Sequence, residues 1–319
     1  MSNEDKIKQK VQQLFPIQSD NYIFVYTPPK VGSTTLVSSL RVSLGKSYNV
    51  IHIHDDVMLS VLTGINDTTI NDIINYLVKE RKNAYVIDVY RTPIERKMSE
   101  YFEKLSPYHF NNSEENVNKY SIRRISDRFN KLFPHLAKGE HYFDKYGIEE
   151  SSIIRFDFEK KYTLQVINNI KYIKLRLCDS SIWNNILTHI LGTEILIIND
   201  YQTDDKGIGE LYKKFKAEYK LPSNYIDLIK NCKYFNFYYS EQERNEYLNI
   251  WRARLCESVL YYTESEYKFY VNLYLENQYI NDIQVEHYIG NGCFCELCSK
   301  KRNQIYMRAK NGEKKFEKI

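Results

Sequence analysis

No stretch of this sequence approaches the roughly 18 consecutive apolar residues of a membrane-spanning helix. Its opening, MSNEDKIKQK, is polar and lacks the apolar h-region of a secretory leader. Neither a membrane span nor export is therefore expected, and the chain reads as cytoplasmic. Cysteine is sparse. Of six, three crowd into residues 293–298, so there is no spread-out even framework of the kind that staples secreted domains, and a reducing compartment is expected. Internal repeats and low-complexity linkers are absent too. Nor is there a general excess of positive charge. Residues 299–319 hold eight Lys/Arg and two acids, a local +6 against a total of +4, so the rest of the chain is −2. The body is thus not expected to bind polyanions in general, nucleic acid included. The 29 tyrosines are spread along the chain rather than interleaved with basic residues, which suits strands and half-buried surfaces better than a stacking platform.

What is present is the alternation of an α/β protein. Tyr22–Thr27, Tyr48–His54 and Ala84–Tyr90 are apolar runs of the kind that form strands buried on both faces. Between them lie helical stripes. Leu36, Leu40 and Leu44 recur every four residues over Ser33–Leu44, and Ile70, Ile73, Ile74 and Leu77 share one face of Thr68–Arg81. A further helix over Pro93–Leu105 is signalled by Thr92, Pro93 and Glu95, which form a capping box with proline at the first helical position. Tyr172–Leu177 and Glu194–Ile198 read as later strands flanking a helix at Ser181–Leu191. From Lys206 the pattern is helical, over Lys206–Tyr219, Glu241–Leu255 and Glu264–Leu275. The fold class is therefore α/β, a parallel sheet with flanking helices and a helical C-terminal layer. The organisation is a polar lead-in at 1–20, one α/β domain over 21–280, and a Cys-rich turn with a basic tail at 281–319.

Two segments carry chemistry. The first, Thr27-Pro28-Pro29-Lys30-Val31-Gly32-Ser33-Thr34-Thr35, follows a strand and opens a helix, where backbone N–H groups and the helix dipole make an anion site. Gly32 lets the backbone approach a phosphate closely; Ser33, Thr34 and Thr35 add hydroxyl donors, and Lys30 adds charge. A nucleoside-triphosphate P-loop needs Gly-Lys-Ser/Thr after a first glycine. Here the lysine precedes the only glycine, which argues against a nucleotide kinase. The second segment, Arg91 to Ser99, ends the third strand and enters the next helix. Arg91 suits bidentate phosphate contact and Ser99 adds a hydroxyl. Arg96, inside that helix, is expected on a solvated face.

Together the two segments resemble the phosphate-binding motifs of sulfotransferases that use 3′-phosphoadenosine-5′-phosphosulfate (PAPS). Lys30-Val31-Gly32-Ser33-Thr34-Thr35 is similar to their 5′-phosphosulfate loop, and Arg91 with Ser99 eight residues later is similar to their 3′-phosphate motif. The resemblance covers about the first hundred residues. More loosely, the C-terminal helical stretches look like those of sulfotransferase-like proteins of capsule synthesis and large DNA viruses. It implies a P-loop-like sulfotransferase fold, PAPS as co-substrate, and an acceptor hydroxyl, that of a carbohydrate in the first instance. It departs from one branch of the family in carrying Leu36 where an aromatic residue follows the loop. In such chemistry a base takes the acceptor proton and a cation offsets charge on the leaving group's bridging oxygen. Lys30 is the candidate cation. His52 and His54, two apart on a strand and so on one face, are the candidate bases, with His54 nearer the strand's mouth. Some polysaccharide sulfotransferases carry a similar His-x-His. The alternative is a catalytically inactive protein of the same fold that binds nucleotide or partners. Separately, Cys293, Cys295 and Cys298 with His287 offer four ligands to a structural zinc ion, or else form a free-thiol turn with Gly290 and Gly292.

Overall fold

The computed structural model describes residues 3–14, 19–56, 59, 65, 68–110, 112–136, 153–198, 207–268 and 270–271. The chain forms two compact units. The first comprises Met1–Thr92, Gly139–Tyr201 and Asn236–Ser240; the second comprises Pro93–Lys138, Gln202–Phe235 and Glu241–Ile319.

The first unit is built on a five-stranded sheet. Its strands are β1 (Asn21–Tyr26), β2 (Asn49–Ile53), β3 (Asn83–Tyr90), β4 (Thr163–Ile167) and β5 (Ile170–Arg176), in the order β2-β1-β3-β5-β4. All pairings are parallel except that of the edge strand β4 with β5. One face of the sheet presents Ile23, Val25, Ile87, Val89, Ile173 and Leu175. These pack with Leu36, Val37, Leu40 and Leu44 of α2 (Ser33–Leu44), and with Trp183, Ile186 and Leu187 of a later helix, Trp183–Leu191. That core explains why the strands read as unbroken apolar runs: the side chains of alternate positions are buried on opposite faces.

The opposite face is less apolar. Asp88 of β3 lies in register with Lys174 of β5, and their side chains form an ion pair that is almost wholly buried. Two positions on, Arg176 is in register with Tyr90. Its guanidinium bonds the Asp179 carboxylate at 2.6 Å and the Tyr238 carbonyl at 3.0 Å, and it stacks over Phe156 and Tyr239. Buried cations in a strand are thus matched one by one with an acid, a carbonyl or a ring.

Three segments differ from their sequence reading. The polar lead-in contains α1 (Asn3–Leu14), whose Ile7 and Val11, one turn apart, are buried; it packs against the helix Ile70–Lys79. Glu194–Ile198 is not a strand. Its backbone amides donate to side-chain hydroxyls instead, Ile195 to Thr188, Leu196 to Ser43 and Ile198 to Ser39, each at 2.8–2.9 Å. The stretch expected to run helical to residue 275 is helical over 264–268 and 270–271, and its remainder lies outside the described residues.

The second unit is helical, with a two-residue parallel ladder between Leu221–Pro222 and Leu255–Cys256. Its core is aromatic: Tyr101, Phe102, Phe129, Phe133, Phe215, Tyr219 and Tyr225 are all fully buried. The tyrosines can be buried because their hydroxyls are satisfied. Tyr101 donates to the Ile125 carbonyl at 3.0 Å, Tyr219 to Asn130 Oδ1 at 2.8 Å, and Tyr225 to the Asn130 carbonyl. The helix Pro93–Glu103 starts differently from its sequence signature. Glu95 accepts from the Tyr247 hydroxyl at 2.7 Å, and the Ile94 N–H donates to the same hydroxyl at 3.3 Å, so this first turn is capped by a tyrosine from the helix Glu241–Arg252. Arg96, expected on a solvated face, is 4% exposed.

The Asp88–Lys174 pair makes a test of the sheet. Lys174→Met leaves a buried carboxylate without its cation and should cost about 3–5 kcal/mol, whereas Lys174→Met combined with Asp88→Leu should recover most of that loss. Urea unfolding of the parent chain and the two variants checks it, and equal stability of the single and double variants would refute the pairing.

Candidate functional site

The strand order places a reversal between β1 and β3. The chain leaves β1 for β2 on one side, then crosses to β3 on the other, and open α/β sheets bind ligands in the crevice at such a point. The two segments singled out in the sequence are the loops that follow these two strands.

The loop after β1 turns sharply. Lys30 and Gly32 both take positive φ, 69° and 85°. Gly32 is the N-cap of α2, and its carbonyl accepts the first helical bond, from Leu36 N–H, at 3.1 Å. Glycine is required there twice over. The left-handed conformation disfavours a side chain, and a Cβ would lie 2.8 Å from Leu177 Cδ1 and 3.4 Å from the Trp183 ring. Trp183 is itself fixed by donating its indole N–H to the Arg176 carbonyl at 3.2 Å. Ser33 is buried, Thr35 is half-buried and Thr34 is exposed.

Arg91, just past β3, donates from Nη1 to the Lys30 carbonyl at 3.0 Å. The structure therefore brings the arginine of the second segment onto the backbone of the first. Ser99, the other half of the second segment, is a buried residue of the helix Pro93–Glu103, which belongs to the second compact unit.

The two histidines end the neighbouring strand. Their rings meet edge-on, with centroids 4.5 Å apart. His54 Nδ1 lies 2.8 Å from the Thr27 carbonyl. A carbonyl only accepts, so Nδ1 carries the hydrogen and Nε2 carries the lone pair whenever the ring is neutral. His52 lies deeper. Burial, with the neighbouring His54 and Arg41, lowers its pKa to about 3, and its Nε2 has no hydrogen-bond partner among the described residues.

Three features of the site escaped the sequence reading. Thr27, at the base of the loop, is fully buried, and its hydroxyl has no partner among the described residues. Nothing in its sequence context signals this. The Leu177–Trp183 lid over Gly32 arises from a segment some 150 residues away, beyond the reach of any local pattern. The Arg176–Asp179 pair was detectable in principle, because Lys174 and Arg176 alternate within an apolar run and so share one face. The proposed zinc ligands, Cys293, Cys295, Cys298 and His287, lie outside the described residues. Among the described residues no helix is long and apolar enough to cross a membrane.

The buried neutral imidazole of His52 has a pH consequence. Its folded pKa, about 3, is below its unfolded value of 6.5, so between these limits the unfolded chain binds the additional proton. Stability should therefore fall as pH is lowered through that window, and His52→Leu should flatten part of the slope. Urea midpoints measured across that range decide it. An unchanged slope in the variant would mean that His52 is not the group responsible.

Comparison of the chain with protein-family models, with curated proteins and with solved structures finds no match in any of the three.

Proposed function

We propose that this chain is a sulfotransferase that moves the sulfuryl group of PAPS to an acceptor hydroxyl, that of a carbohydrate in the first instance. The observation that carries the reading is the contact between Arg91 and the Lys30 carbonyl at the sheet's point of reversal. It joins the two phosphate-type segments in one place. The first-turn amides of α2 face the same loop, as does the positive end of its dipole, an arrangement suited to a phosphosulfate.

In this reading the acceptor oxygen attacks sulfur as its proton passes to His54 Nε2. The new S–O bond forms while the bridging S–O bond breaks, and the electron pair leaves with adenosine 3′,5′-bisphosphate. Lys30 offsets the charge gathering on that bridging oxygen. His54 is preferred to His52, because a group with a pKa near 3 is a weak base at neutral pH. The hydrogen bond to Thr27 holds the His54 ring with Nε2 as the basic nitrogen.

A second reading has one observation behind it. Arg91 already holds the loop's backbone, which is a structural duty that a non-catalytic nucleotide binder of the same fold would share. Two measurements separate the readings. Adenosine 3′,5′-bisphosphate, without divalent metal, should stabilise the protein by about 2.7 kcal/mol at one hundred times its Kd. No thermal shift at saturating concentrations would overturn both. With PAPS and a panel of carbohydrate acceptors, His54→Ala should lower turnover by about 10²–10⁴-fold and leave bisphosphate affinity nearly unchanged. Lys30→Ala should weaken both. Bisphosphate binding without transfer to any acceptor would favour the second reading.

A further inference from the structure

The chain's near-neutral body conceals one strongly cationic groove, in the second unit. The groove has a volume of about 310 Å³ and is lined by Arg123, Arg124, Arg128 and Lys131, with Phe110 on its wall and Asp127 as its single acid. The cations come from the helix Ile122–Leu132. Arg124, Arg128 and Lys131 follow one another at intervals of four and three, so they line one face and span about 10 Å of axis at ~1.5 Å per residue.

These charges oppose the helix dipole, and neighbouring rings hold them in place. Ser121 caps the helix by accepting from the Arg124 N–H, which puts Arg123 and Arg124 in the first turn, and no acid stands there. The dipole favours acids at that end, so two arginines oppose it. The guanidiniums are also held in place. Arg124 lies 3.8 Å over the Tyr120 ring, and Arg128 lies between Phe110 and Tyr270 at 5.3 and 5.6 Å while donating to the His109 carbonyl at 2.8 Å. An arginine stacked on a ring loses little further freedom when its edge meets an anion.

We propose that this groove binds a compact polyanion of mono- or disaccharide size carrying two or more sulfate or phosphate groups. Cations distributed along the helix call for more than one anionic group. The groove's volume lies at the small end of ligand pockets, which argues for a compact molecule. A single-stranded nucleic acid would use aromatic faces for its bases, and here the faces of Tyr120, Phe110 and Tyr270 are taken by guanidiniums. The groove lies outside the loops assigned to the sulfuryl donor, and the inference does not rest on that assignment.

The test is calorimetric titration of the full chain with sucrose octasulfate and with inositol hexakisphosphate, at low and at raised salt. Both probes should bind, more weakly as salt rises. The variant Arg123→Glu/Arg124→Glu should lose affinity by about tenfold or more. Its melting temperature should hold or rise, because acids now stand in the helix's first turn. That combination separates a lost site from a damaged fold. Adenosine 3′,5′-bisphosphate should not displace either probe, and Lys30→Ala should bind both as well as the parent chain. Failure of both probes to bind would overturn the proposal. So would unaltered affinity in the double variant, which would point to the basic tail, displacement by the bisphosphate, which would point to the donor loops, or tighter binding of a thymidine oligonucleotide of equal charge.

Discussion

The first unit is tied together at a reversal of the chain in which glycine is favoured both by backbone conformation and by space. Between the end of β1 and the start of α2 the backbone passes through two left-handed residues, Lys30 and Gly32, and the second is pressed beneath Leu177 and Trp183. Those two side chains follow β5, and Trp183 opens the helix that covers the same sheet face as α2. The turn thus ties β1, α2, β5 and that later helix together at one point. A side chain at position 32 would push against this lid and strain the backbone as well. The loop is therefore held by packing against Leu177 and Trp183 and by the Arg91 hydrogen bond.

Much of the first unit was legible because its signals are local. Buried parallel strands leave unbroken apolar runs, and α2 has the bounds that its leucine stripe and preceding glycine predict. What was missed follows from partners distant in sequence or from weak composition. Glu194–Ile198 has the apolar content of a strand, but three serine and threonine hydroxyls on two helices take its amides. Conversely β4 went unread although a signal was present. Asn168 and Asn169 both adopt positive φ and join β4 to β5 as a two-residue hairpin, a turn that asparagine tolerates. The lead-in helix α1 has only Ile7 and Val11 to bury, too little to stand out in a polar stretch.

The helix after β3 shows the same limit at single residues. The helix starts at Pro93 as its sequence signals, yet Glu95 accepts from Tyr247, some 150 residues away, and Arg96 is buried, neither of which a local window contains. The candidate site divides in the same way. Positions on the loop after β1 were legible as a string, because strand, glycine, hydroxyls and helix are adjacent. The bond from Arg91 to that loop was not, since it depends on β1 and β3 being neighbours in the sheet although β2 separates them in the chain.

The histidine pair shows how geometry gives a physical basis to a ranking that position along the strand already suggests. His52 and His54 share a strand face and a motif, and His54 lies nearer the strand's mouth. Position decides. His52 pairs with Val25 inside the ladder, where desolvation makes its charged form costly and keeps it neutral. His54 stands one step past the last ladder pair, where the Thr27 carbonyl fixes its tautomer. A group that must take a proton and later release it needs both orientation and the ability to hold charge. The deeper ring lacks the second property, and its contact with His54 disfavours two simultaneous charges. The strand thus holds one ring neutral by burial and orients the other through a backbone hydrogen bond.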